Sequence, residues 1–147
     1  MSIISEPFPE MNDATAHKCE VLRNKAEDAE YEDEDAIKAF GLYHQAAEKG
    51  DVESFREMFR IDRGQLVGEL VSGLQAQSEM KLVDEQDLEF VQDKLCCDLS
   101  ELPEDELKQL LHVSLHYDIL RDAFETVESS MIEARDAGDP RWMGVED

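Results

Sequence analysis

Positive charge is what this chain has least of. Lysine and arginine together number 14 in 147 residues, against 37 aspartates and glutamates, for a net charge of −23. The cations form no patch or stripe, and several stand beside acids: Lys18 near Glu20, Arg56 by Glu57, Arg121 by Asp122. Such a surface repels DNA, RNA and anionic lipid at long range, which argues against direct nucleic-acid binding and against a membrane surface as partner. Long apolar runs are missing too. No stretch reaches the roughly 18 consecutive apolar residues of a membrane span. The start, MSIISEPFPEMNDATAHK, has neither a basic region nor a sustained apolar run and does not read as a secretory signal. Cysteine is scarce and odd in number: Cys19, Cys96 and Cys97, the last two adjacent, where a mutual disulfide would be strained. The expected location is therefore a reducing cytoplasm, the host's if the chain is phage-encoded. β-branched residues and period-two alternation are sparse, so no strand is expected.

What is present fits one helical domain. A chain of this length hides roughly 70% of its unfolded surface, and a hydrophobic content of 41% supplies a core. The expected fold is all-α, a compact bundle of about five to seven helices with a long or kinked C-terminal helix. Residues 1–12, with Pro7 and Pro9, read as an irregular arm, 13–137 as the helical domain and 138–147 as a tail. A first helix over 13–30 starts after Asn12 or Asp13 and carries Ala16, Cys19, Leu22 and Ala26 at helical spacing. The second, from Asp35 to Lys49, has the stripe Ala36, Ala39, Phe40, Tyr43, Ala46 and Ala47 and stops at Gly50. Asp51 caps a third with Val52, Phe55, Met58 and Phe59. Leu66, Leu70 and Leu74 mark a fourth over 62–80, in which close helix packing would explain Gly68 and Gly73. Asp84 caps a fifth with Leu88, Val91 and Leu95 inward.

From Pro103 to about Arg135 a single helix would be roughly 50 Å long. Its two stripes point to nearly opposite sides: Leu107, Leu110, Leu111, Ser114 and Leu115, then Leu120, Phe124, Val127 and Met131. Either the helix breaks between Ser114 and Asp118, or its halves pack on different bodies, a second subunit among them; a homodimer is expected on that ground. The stretch AFGLYHQAAEKGDVESF resembles the helix–turn–helix of tetratricopeptide-type repeats. The likeness covers about 20 residues and does not recur at that period, where three or more units are normally needed. It reads as an ordinary helical hairpin.

Enzyme chemistry finds little support. His112 and His116 have a helical metal-ligand spacing, but no glutamate follows His112 as in zinc proteases, and Cys96–Cys97 lack finger spacing. They are weak metal candidates, and a pair of half-buried histidines is the simpler account. No elbow surrounds a serine or cysteine nucleophile. DAEYEDEDAIKAF lacks the glycine and twelfth-position glutamate of a calcium loop, and no strand or Lys-Ser/Thr pair frames the glycines of 62–80 as a phosphate loop. Neither catalytic residues, nor cofactor, nor metal are expected.

The informative feature is charge. Residues 26–36, AEDAEYEDEDA, hold seven carboxylates in eleven positions and no cation. A small domain stays soluble with a net charge of about 2 to 8, so −23 asks for a cause: a high-salt habitat, a polycationic partner, or drift. The sequence gives most weight to a positively charged, nucleic-acid-binding protein, bound by an acidic inhibitor that mimics DNA. Its character resembles that of phage and mobile-element inhibitors of restriction or CRISPR machinery. The alternative is a helical adaptor, scaffold or regulatory subunit that binds through apolar helix faces. The candidate surface comprises three clusters: Glu27, Asp28, Glu30, Glu32, Asp33 and Glu34; Asp84, Glu85 and Asp87; Glu101, Glu104 and Asp105. Trp142, next to Arg141 in the tail, is a further candidate contact.

Overall fold

Aspartate and asparagine open most of the helices. In the computed structural model, which describes residues 10–97, 99 and 101–139, the chain forms seven helices. They are α1 (Asp13–Tyr31), α2 (Ala36–Glu48), α3 (Val52–Ile61), α4 (Arg63–Glu79), α5 (Glu85–Leu95), α6 (Glu104–His116) and α7 (Ile119–Asp136). Asn12, Asp35, Asp51, Asp62 and Asp84 each accept a hydrogen bond from a first-turn amide of α1 to α5 respectively. Each such cap contributes about 1 kcal/mol. Four carboxylates therefore have a local use, and their charge also opposes the positive end of the helix dipole.

The helices share one apolar core. Phe40, Phe55, Met58, Leu66, Leu70, Leu74, Val91, Leu107, Leu110, Leu111, Leu120, Val127 and Met131 are all fully enclosed. α1 lies almost entirely on α2, where small residues on both sides permit a close approach: Cys19, Ala26 and Ala29 face a helix whose Ala39, Ala46 and Ala47 are buried. The Cys19 thiol reaches the Ala46 carbonyl at 3.8 Å. α7 packs between α2 and α4. On the α2 side His44 stacks on Phe124 with ring centroids 3.9 Å apart. On the α4 side Gly73 lies against Ile119, where a Cβ would stand at 3.4 Å, an ordinary van der Waals distance. Gly68 is exposed, and a Cβ there would meet nothing within 4 Å, so close packing requires glycine at neither position.

The segment from Pro103 to Arg135 takes the first of the two options and is broken into two helices. Ser114 Oγ donates to the Leu110 carbonyl at 2.8 Å, a back-bond that bends helices. Asp118 then adopts φ 58°, a left-handed conformation that ends the run. The break turns both stripes toward the same core, with Leu107, Leu110, Leu111 and Ser114 buried on one side and Leu120, Val127 and Met131 on the other. The opposed stripes thus have an explanation within one chain, and a second subunit is no longer needed to account for them.

Candidate functional site

The first acidic cluster occupies the end of α1 and the turn into α2. Glu27, Asp28, Glu32, Asp33 and Glu34 are exposed, and Tyr31 stands among them at 67% exposure. The turn is fixed by backbone bonds from the Asp33 amide to the Asp28 carbonyl (3.0 Å) and from the Asp35 amide to the Ala29 carbonyl (2.8 Å). Glu30 differs from its neighbours: its side chain is only 14% exposed and receives a two-pronged bond from Arg60, at 2.9 and 2.5 Å. Arg60 also donates to Glu57 at 2.7 Å. Those carboxylates, Glu30 first, hold the guanidinium charged against its partial burial.

Arginines hold the helices to one another and to the loops. Arg23 of α1 pairs with Asp51 at 2.6 Å, and that carboxylate also accepts from the Ser54 hydroxyl. Burial works against the Arg23 charge, and Asp51 more than restores it. Arg56 donates to the carbonyls of Leu99 and Leu102, and Arg63 to those of Leu95 and Cys97. Arg56 and Arg60 are four apart and so lie on one face of α3. Through them the first cluster and the loop bearing Glu101 both attach to α3, with exposed Glu104 and Asp105 opening α6 directly after that loop.

None of the bonds that Arg56, Arg60 and Arg63 make to the α1 end and the α5–α6 loop extends to the second cluster. Arg63 reaches the C-terminal end of α5, whereas Asp84 and Glu85 lie at its N-terminal end. The 11 residues of α5 separate the two by roughly 16 Å. Asp87 is not part of any surface: it is 0% exposed and accepts from the Tyr117 hydroxyl at 2.6 Å. The helical pattern explains the error, since Asp87, Val91 and Leu95 share one face and that face is the buried one. Burial first, then the Asp87 carboxylate, pushes the Tyr117 pKa up to about 12.

The turn between α4 and α5 carries a feature that periodicity did not reveal. Met80 and Leu82 are 64% and 60% exposed, the largest such apolar pair near one another in the described residues. Lys81 between them has φ 60°. The Lys81 amide bonds the Ser78 carbonyl and the Leu82 amide the Gln77 carbonyl, at 2.9 and 3.0 Å. This is a Schellman closure with lysine in the place usually taken by glycine. Gln77 Nε2 donates to the Tyr117 carbonyl at 2.7 Å, and the Tyr117 hydroxyl accepts from the Asp84 amide at 3.4 Å. A signal was available: Met80 and Leu82 fall outside the Leu66–Leu70–Leu74 stripe yet precede the Asp84 cap.

No family model, curated protein or solved structure matches this chain.

The remaining candidates are placed as follows. His112 is half-buried and His116 exposed, edge-on to Tyr117. Both line an open cleft with Thr15, Glu48, Lys49 and Gly50, which contains neither cysteine nor serine. Among the described residues no group of three or more His, Cys, Asp or Glu side chains is arranged to hold a metal ion. Cys96 and Cys97 are exposed and free; Cys19 is buried, and that burial, with Asp51 nearby, pushes its thiol pKa up. No helix of the described residues is long and apolar enough to cross a membrane. Trp142 lies outside the described residues.

Proposed function

We propose that this protein is an acidic inhibitor that occupies the basic nucleic-acid groove of a partner protein as a DNA mimic. The observation that carries the reading is the exposed row Glu27, Asp28, Glu32, Asp33 and Glu34 on a turn fixed by backbone bonds and anchored through Glu30 to Arg60. B-form DNA presents one charge per about 1.7 Å of axis. Carboxylates on a helix end offer a comparable density, and a prearranged set loses little entropy on binding. Counterions released from the partner's groove would supply much of the affinity. Tyr31 adds an aromatic of the kind enriched at binding hot spots. The clusters around Glu30 and Glu101, both tied to α3, form the proposed contact. A phage or mobile-element antagonist of restriction or CRISPR machinery is one role that suits these properties.

The test is displacement of labelled DNA from a panel of restriction enzymes and RNA-guided nucleases. Micromolar protein at about 100 mM salt releases the DNA from at least one of them, with potency falling steeply as salt rises. Absence of displacement across the panel refutes the proposal. A second reading, an adaptor that binds through apolar contacts, draws on exposed Met80 and Leu82. It expects affinity nearly constant between about 50 and 500 mM salt, because screening acts on charges and not on apolar burial.

A further inference from the structure

We infer that the α4–α5 turn is an apolar docking element for a basic amphipathic helix of a partner protein. Three observations converge on it. Met80 and Leu82 are displayed together, although a Schellman closure usually turns the second of these positions inward against the helix it ends. The display is held by a network: the closure itself, Gln77 on the Tyr117 carbonyl, and the Tyr117 hydroxyl between the Asp84 amide and buried Asp87. Lys81 sits in a left-handed conformation that costs a non-glycine residue free energy, and such strain gathers at binding sites.

Charge selects the occupant. Exposed Glu79 and Glu85 and half-buried Asp84 flank the apolar pair in the chain, against Lys81 in the same stretch and His116 across the cleft that Leu82 and Asp84 line. An apolar stripe bordered by lysine or arginine complements this arrangement. A second copy does not, because it would bring Glu79, Asp84 and Glu85 against their own equivalents. Two side chains also fall far short of the roughly 800 Å² that each partner of a stable pair buries. They are an anchor within a larger contact, in the manner of a hot spot with a polar rim.

The test uses the full chain and, as probe, a short amphipathic helical peptide built only of leucine and lysine. Backbone amide shifts are expected to change at residues 78–85 and around Tyr117. At about 300 mM salt, where surface charges are largely screened, the double variant M80S/L82S is expected to bind the peptide at least tenfold more weakly with its thermal midpoint unchanged. The variant E27Q/D28N/E32Q/D33N is expected to keep this site intact, so the docking element stands or falls separately from DNA mimicry. Shifts confined to the α1–α2 turn, or wild-type affinity in M80S/L82S, overturn the inference. So does a wild-type dimer that M80S/L82S dissolves in sedimentation, which would make the occupant a second copy. Deletion of residues 1–9 that shifts the Met80 and Leu82 methyl signals would likewise overturn it, by making this chain's own arm the occupant.

Discussion

The turns at α1–α2 and α4–α5 share a backbone device and present opposite chemistry. Each contains a non-glycine residue in the left-handed region, Glu34 at φ 56° and Lys81 at φ 60°. One displays carboxylates around Tyr31, the other Met80 and Leu82. A tyrosine is electrostatically coupled to residues at or near each turn, its pKa pushed up to about 12, and the causes differ after the first. Burial leads for both. For Tyr43 the next causes are the negative charges of Glu57 and Glu30; for Tyr117 it is the hydrogen bond with Asp87. Tyr43 therefore registers negative charge from α3 and from the end of α1, whereas Tyr117 registers one specific contact, with Asp87 of α5.

The largest expected effect follows from those two tyrosines together. An unfolded tyrosine releases its proton near pH 10, while Tyr43 and Tyr117 hold theirs to about 12. Between these values the folded state binds more protons, so stability falls as pH rises. The contribution is whole below pH 10 and lost through pH 12. Denaturant midpoints across that range check it, and a flat profile would contradict the burial of these phenols. Glu57→Gln sharpens the comparison: it lowers the Tyr43 pKa and leaves that of Tyr117 in place, as ultraviolet titration reads.

Next in size is Tyr117→Phe. It removes one donor from a carboxylate with no exposed surface, and loss of a hydrogen bond to a buried charged group costs about 2 kcal/mol. Amide exchange should quicken across residues 77–84 and stay unchanged at 27–35. Equal quickening at both turns would show that they are not independently held. Arg60→Gln is the converse. It frees Glu30 and loosens the acidic turn, but the Arg60 side chain is 41% exposed, so solvent screening limits the cost to about 1 kcal/mol. That cost should shrink in high salt, whereas the cost of Tyr117→Phe should not.

Helices with a polar cap before an apolar stripe were legible in the sequence, because both signals are local: Asp35 before Ala36–Glu48, Asp51 before Val52–Ile61, Asp84 before Glu85–Leu95. The break at Asp118 was legible as one of two options, since a pair of opposed stripes states that a conflict exists and not how it resolves. Asp87 was misjudged because composition marks every aspartate as surface, while its place on the Val91–Leu95 face marks it as core. Which clusters lie together depended on Arg56, Arg60 and Arg63, whose partners stand about 30 to 46 residues away in sequence. Periodicity carries no information over that span.

The smallest effect tests whether the two turns are strained alike. In the left-handed region a side chain costs roughly 1–2 kcal/mol, and glycine does not incur this. Glycine also loses more freedom on folding, by roughly 0.5–1 kcal/mol, so Lys81→Gly and Glu34→Gly should each stabilise by about 0.5 kcal/mol. Gly50→Ala, at φ 102°, should destabilise by more than that. Thermal midpoints measure all three. If Lys81→Gly stabilises and also weakens the leucine–lysine peptide, lysine there fixes the presentation of Met80 and Leu82 at a cost in stability. If it stabilises and leaves binding unchanged, the Tyr117 network alone holds the turn, and the strain at Lys81 has no part in recognition.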